Sequence, residues 1–291
     1  MSRLTVTKTP KPYVGGAFIR SESGRTFPIT TAAGEFFANI PQCTRKDLRN
    51  AVEAAAKAGP GWAKRTPYNR GQILYRLGEM LEARRQEMVD TMTLFGCDRD
   101  NAKRGVAISI DRLVYYAGWA DKYEQVLGNV NPVASPHFNF TVTEPMGIVG
   151  VIGPDRPPLL PLVSMIAPVI ISGNTVVALA SESIPYPAII FGEILATSDL
   201  PAGVVNILTG FRRELVPTFA THAHIRGLSA VATDAERQTL RLGAAESVKR
   251  VHFFEPAPGM EKIDWQGSSA QSLYAIRDFV EFKTTWHPIG A

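Results

Sequence analysis

The sequence predicts an α/β protein: a doubly wound parallel sheet, carrying a β-strand arm and tail. Three observations predict it. From Ile148 to Phe253 short apolar segments alternate with longer helical ones. Strands that are apolar along their whole length and separated by helices belong to parallel sheets covered on both faces. A Gly173-Asn174 turn and a Leu200-Pro-Ala-Gly203 turn mark joints in that alternation.

Ahead of this region, residues 13–40 read as a β-rich arm, with YVGGAF, a turn at Ser23-Gly24 and FFANIP. Thr44-Arg-Lys-Asp47 opens a helix, the threonine as cap and the aspartate at the positive helix end. Alanine-rich Leu48–Ala58 continues it. A second helix is expected from Pro67 to about Phe95, because Ile73, Leu74, Leu77, Met80, Leu81 and Met88 keep a helical apolar stripe. Asp98 to about Val126 reads as a third, and the alternation in His137–Thr143 as a strand. Sheet strands are placed at Ile148–Ile152, Thr175–Leu179, Val204–Leu208, Ile225–Ser229 and Lys249–Phe253. The helices between them are placed at Leu159–Ser172, Pro185–Ser198, Glu214–Ala220 and Ala235–Ser247. Turn-rich residues 255–270 read as a connector. In the tail, Phe279–Trp286 reads as a strand without a local partner, which must dock on a sheet edge of this chain or another.

The 291 residues suffice for two domains, or for one large domain with appendages. A composition of 45% hydrophobic and 20% charged residues is that of a soluble globular protein and excludes disorder. The 31 basic and 27 acidic residues are well mixed, and no basic run carries interleaved aromatics, so no nucleic-acid partner is expected. Cys43 and Cys97 stand alone, with no zinc spacing and no disulfide framework, which suits a reducing compartment. The N-terminus lacks the apolar core of a secretory signal. Pro157–Gly173 contains four prolines and falls short of the roughly 18–20 apolar residues of a membrane span. A cytoplasmic protein with no membrane partner is expected.

Several stretches together carry a resemblance. Tyr115-Tyr-Ala-Gly-Trp-Ala-Asp-Lys122, EPMGIVGVIGP, IAPVIISGNTVV, Glu182 and LPAGVVNILTG follow one another in the order of the aldehyde dehydrogenase superfamily. YVGGAF and Lys249-Arg-Val251 match it too, so that residues 12–254 resemble that family. The resemblance implies NAD(P)-dependent oxidation of aldehydes, with a cysteine forming a thiohemiacetal and a glutamate activating water. It also implies a cofactor half, a catalytic half and a strand-built oligomerisation arm. On that pattern, residues 12–128 and 144–255 form the cofactor-binding domain, and 129–143 and 271–291 the oligomerisation arm and C-terminal strand. Residues 256–270 then stand as a connector where the catalytic domain is expected. Only 36 residues follow position 255, none of them cysteine, whereas a compact domain needs at least about 50.

Position by position, the family's site is altered. Pro154-Asp155-Arg156-Pro157-Pro158 stands where the family has Pro-Trp-Asn-Phe-Pro, so Arg156 replaces the oxyanion-binding asparagine. Where the family has a lysine and a glutamate on the adenosine ribose, this chain has Leu179 and Glu182. The Gly-Ser loop expected at the pyrophosphate corresponds to Leu228-Ser-Ala-Val-Ala-Thr-Asp234, which lacks glycine and ends on a repelling aspartate, with Thr233 as a simple helix cap. Phe254 takes the register of the general-base glutamate, with Glu255 one residue on. Gly153, Pro154, Arg156, Glu182 and Ser229 are the residues left to meet a cofactor, and no tightly bound NAD(P) is expected. Cys97 has only Arg99 nearby in sequence to lower its pKa. His137 and His287 read as structural or surface groups, and His222-Ala-His224 as a loop rather than a metal site.

The reading that accounts for these departures is a non-catalytic structural or regulatory subunit, similar to the non-catalytic second half of class-16 type aldehyde dehydrogenases. It would pair with a full-length aldehyde dehydrogenase or with itself. One alternative is an oxidoreductase subunit that binds NAD(P) weakly and takes its cysteine from a partner. The other is an anion-binding module that uses Arg156 in the former cofactor cleft.

Overall fold

The computed structural model describes residues 8–256 and 258–290. The N-terminal arm comprises β1 (Tyr13–Val14), β2 (Ala17–Phe18) and a hairpin of β3 (Thr26–Thr30) and β4 (Phe36–Pro41). Helix α1 (Arg45–Ala63) begins at the expected place. Asp47 Oδ2 accepts from the Thr44 N–H at 2.7 Å and from Ser21 Oγ at 2.9 Å, so one buried carboxylate both caps the helix and ties the arm to it.

The second predicted helix is two helices, α2 (Pro67–Ala83) and α3 (Arg85–Leu94). The chain turns at Arg84, whose guanidinium bridges Glu87 and Glu193, yet Leu81 and Met88 on either side stay in the core. The apolar stripe thus survives a break that it does not reveal. The third helix likewise divides into α4 (Arg99–Trp119), capped by Asp98, and α5 (Tyr123–Leu127).

After β5 (Asn129–Asn131) and β6 (His137–Pro145) the alternating region begins. Its order is β7 (Ile148–Ile152), α6 (Leu160–Ile171), β8 (Thr175–Leu179), α7 (Tyr186–Ala196), β9 (Val205–Leu208), α8 (Arg212–Thr221), β10 (Ile225–Ala230), α9 (Asp234–Ala245) and β11 (Arg250–Phe253). The last elements are α10 (Leu273–Arg277) and β12 (Val280–Pro288). The main sheet runs β11-β10-β7-β8-β9-β1-β2, with its first five strands parallel. Alternate residues feed two cores: Val149, Val151, Val176 and Ala178 face one, and Ile148, Ile152, Val177 and Leu179 the other. Every residue of α6 is buried, because the sheet covers one side and α4 another. Gly203 makes the turn into β9 at φ +87°, where a Cβ would stand 2.7 Å from the Ala54 carbonyl oxygen.

The second part of the connector, from 263 to 270, is held against the core. Trp265 is buried against the core, its ring 5.1 Å from that of Phe254. Arg112, fully buried on α4, holds the segment: Nη1 donates to Ser164 Oγ and the Ala270 carbonyl, both at 2.7 Å, and Nη2 to the carbonyls of Trp265 and Gly267. The tail strand does find a partner in this chain. β12 pairs antiparallel with β6 from Val280↔Pro145 to Pro288↔His137, giving a separate sheet in the order β12-β6-β5. Asn174 fixes its root by donating Nδ2 to the Phe279 carbonyl at 2.7 Å. Among the described residues no helix is long and apolar enough to cross a membrane.

Candidate functional site

The chain runs from β7 through β8 to β9, then returns to the other side of β7 for β10 and β11. The switch point therefore lies between the carboxyl ends of β7 and β10, where sheets of this kind bind ligands. A concavity of about 1,020 Å³ opens there. The hairpin β3–β4 forms one wall, through Phe27 and Ile29, and the N-termini of α8 and α9 form the other.

Arg212, the first residue of α8, fills the switch point. Its Nη1 donates to the Gly153 carbonyl at 2.7 Å, beyond β7, and its Nη2 to the Val231 carbonyl at 2.8 Å, beyond β10. Nε and Nη2 also grip both oxygens of Glu236, at 2.7 and 3.0 Å. A fork of this kind is the strong form of a guanidinium–carboxylate contact. Glu236 in turn accepts from the Thr233 N–H at 2.9 Å, closing the capping box of α9. Burial works to raise the Glu236 carboxyl, but the bonds from Arg212 and Thr233 hold it below its ordinary value. Glu182 accepts from the Arg212 N–H at 2.8 Å and so caps α8.

Neither Arg212 nor Glu236 is singled out by the sequence reading. The available signal is the pair Arg212-Arg213 in the first turn of a helix, where the macrodipole disfavours cations and each requires compensation. The helix also starts earlier than expected, at Arg212 rather than Glu214.

Of the five residues expected to meet a cofactor, three lie at this cleft. Gly153 supplies a carbonyl to Arg212, while Pro154 and Glu182 line the wall. The other two are corrections. Arg156 is exposed and does not line the concavity, in a turn locked by its neighbour. That neighbour, Asp155, accepts from Ser181 Oγ at 2.9 Å and the Ser183 N–H at 2.8 Å. Burial acts to raise the Asp155 carboxyl, and these donors outweigh it and lower it. Ser229 sits inside β10, fully buried, with no partner for its Oγ, because the strand runs on to Ala230 and α9 begins only at Asp234. Leu228 and Ala230 face the core with Phe219, so Ser229 points to the opposite face of the sheet.

The remaining candidates resolve in the same way. Leu179 is buried in the core at the end of β8. Phe254 packs on Trp265, and Glu255 pairs with Arg237. Arg99 is occupied by Asp90 at 2.9 Å, and the charge that acts on Cys97 is Arg156. Burial nevertheless pushes the Cys97 thiol up, and Cys43 is driven to about 12 by deeper burial. The rings of His222 and His224 lie 6.0 Å apart, and no group of three metal-ligating side chains occurs among the described residues.

A dinucleotide needs an anion cradle of free N–H groups at a helix N-terminus. Here Thr233 and Glu236 cap α9, Glu182 caps α8, and Arg212 in the switch point is already bound to Glu236, which leaves Arg213 as the exposed cation on the wall. The carboxylates of Asp155, Glu182 and Glu236 line the same concavity. With both helix N-termini capped by carboxylates and three acids against two arginines, the cleft is a poor fit for a diphosphate.

The fold and the chain's sequence have relatives. The aldehyde dehydrogenase family matches residues 18–254. Retinal dehydrogenase 2 of Gallus gallus is 34% identical over 255 residues, covering 84% of this chain and 48% of the relative. An aldehyde dehydrogenase of Alternaria alternata is 32% identical over 249 residues, covering 82% and 48%. Among solved structures, the HpcC from Thermus thermophilus superposes with a TM-score of 0.81 at 28% identity, covering 84% of this chain and 48% of that one. An NAD+ complex of an aldehyde dehydrogenase from Bacillus cereus gives 0.80 at 25% identity, covering 84% and 50%. The chain thus spans about half the length of the relatives it matches. With the parallel sheet, the order of its motifs and these matches in agreement, the chain belongs to the aldehyde dehydrogenase family.

Proposed function

We propose that this chain is a non-catalytic structural or regulatory subunit of the cytoplasm, one that pairs with a full-length NAD(P)-dependent aldehyde dehydrogenase. The observation that carries the reading is the seat of Arg212: its guanidinium bridges the ends of β7 and β10 and is neutralised by Glu236, at the point where the family's cofactor half would receive its dinucleotide. The turn at Pro154–Pro158 supports it, since Arg156, at the asparagine position, is exposed and does not line the cleft. Residues 265–270, anchored by Arg112, then serve as a stable closure in place of a catalytic domain. The sheet β12-β6-β5 is left for assembly.

Co-expression with a full-length aldehyde dehydrogenase, followed by affinity capture of this chain, tests the pairing. Recovery of a complex of fixed stoichiometry is expected, and recovery of this chain alone would sink the proposal. Calorimetric titration of the isolated chain with NAD+ and NADH to about 1 mM is the companion measurement. No saturable heat is expected. Saturation in that range would favour the oxidoreductase-subunit alternative instead.

A further inference from the structure

We propose that Arg226 and Lys249 form a binding site for a phosphate-type oxyanion, at the amino ends of β10 and β11 and so at the opposite ends of these strands from the cleft. The inference does not depend on the subunit reading.

Two cations that the fold brings together carry it. Both line a concavity of about 600 Å³, with Met146, Val248, Arg250 and Glu281. Lys249 is only 8% exposed. Its Nζ donates to Ser247 Oγ, a neutral partner, and it forms no ion pair among the described residues. Arg226 is exposed and likewise has no carboxylate partner among the described residues. The carboxylate in the lining, Glu281, is taken by Arg250 at 3.2 Å. An ammonium withdrawn from water is costly unless a counter-charge and hydrogen bonds replace its hydration, and a single hydroxyl does not supply that. Burial and, next, the Arg226 charge hold the Lys249 ammonium below its ordinary value, against the opposing pull of Glu246. The Lys249 charge also helps to depress His222, after burial and His224. An anion seated between Arg226 and Lys249 relieves their repulsion.

The local backbone sets the two side chains in place. β10 carries an extra residue at Arg226: Ile225 pairs with Ile148 and Gly227 with Val149, so Arg226 is left out of the ladder. A bulge of this kind re-aims the side chain it carries. Lys249 follows Val248, which is 91% exposed and held at φ +52°. Glycine is usual at that point after a helix, and a β-branched residue in the left-handed region is strained. The Lys249 N–H closes the turn on the Ala244 carbonyl at 3.0 Å.

The ligand's class follows from charge and shape. A tetrahedral dianion matches two cations, and it offers acceptors both to a guanidinium fork and to the ammonium protons that Ser247 leaves over. A second concavity, of about 400 Å³, shares Val248 and Lys249 and is walled by Val251 and Phe253. The apolar body of a phosphate ester therefore has a place beside its phosphate.

The full chain is titrated calorimetrically with inorganic phosphate at constant ionic strength, and its melting temperature is followed in parallel. Saturation is expected with a Kd of about 1–10 mM, together with a rising melting temperature. Arg226→Gln and Lys249→Met should each weaken binding at least about tenfold, by removing a charge-assisted contact. Because Arg226 is exposed, Arg226→Gln should keep the unaltered melting temperature in phosphate-free buffer. Arg213→Gln, on the wall of the cleft, should leave phosphate binding as it is. No saturation below about 50 mM, an equal response to chloride, or binding unchanged by Arg226→Gln would overturn the site. Phenyl phosphate identifies the source of the anion. Tighter binding than inorganic phosphate assigns an ester, its body against Val251 and Phe253, and equal or weaker binding assigns the free ion.

Discussion

Arg212 at the cleft and Arg112 beneath the connector both reach across the fold to backbone carbonyls, but their partners differ. Arg112 is fully buried and meets only neutral acceptors, namely one hydroxyl and three carbonyls. Arg212 keeps some exposure and adds a carboxylate, Glu236, to its two carbonyls. A buried cation bonded only to neutral dipoles is a structural commitment, since no carboxylate bonds to it to offset its lost hydration. A cation balanced by a titratable carboxylate is a fastening that acid can loosen. The two regions are held by one residue type and should fail under different conditions.

The largest expected effect lies under the connector. Arg112→Ala leaves Ser164 Oγ and the carbonyls of Trp265 and Ala270 without a donor, takes one of two from Gly267, and should cost about 3–5 kcal/mol in urea unfolding. A loss below about 1 kcal/mol would show that the segment is not held by this side chain. At the cleft, Arg212→Ala should cost about 2 kcal/mol by the same measurement, because it frees Glu236 and two carbonyls that water can partly reach.

Acid separates the two sites further. The Glu236 and Asp155 carboxyls titrate below their ordinary values when folded. Their contribution is complete above the unfolded pKa values, near 4.5 and 3.8, and is lost as pH falls through the lower folded ones. Melting temperatures taken from about pH 7 down to about pH 3 should therefore fall less steeply for Arg212→Ala than for the unaltered chain. Arg112→Ala should keep the original slope. Equal slopes in all three would remove the distinction. The smallest effect is reserved for Arg156→Ala, whose side chain touches neither region and should change stability by less than about 0.5 kcal/mol.

The alternating region was legible because it needs little beyond local pattern. β7 and β8 fall on Ile148–Ile152 and Thr175–Leu179 as read, since strands apolar on both faces and bounded by turn residues have few other homes. The cap at Thr44 and the helix start at Thr233 were legible for the same local reason. The breaks at Arg84 and Ala120 were not, because the apolar stripe stays in phase across them. Arg212 was invisible for a different reason. Its partners lie 19, 24 and 59 residues away, and two of them are backbone carbonyls that leave no mark in a sequence. Arg112, bound to carbonyls more than 150 residues distant, is hidden in the same way. Family resemblance located the cleft, but only the fold shows that Arg156 and Ser229 lie outside it.

Mass action gives the seat of Arg212 a wider meaning. A protein whose fold is completed by a freely diffusing ligand gains stability as RT ln(1 + [L]/Kd), so its folded fraction rises and falls with the ligand pool. A guanidinium tethered to α8 is present once per molecule and cannot be diluted away. On the proposed reading, filling the switch point from within leaves the folded population of this chain independent of the supply of dinucleotide.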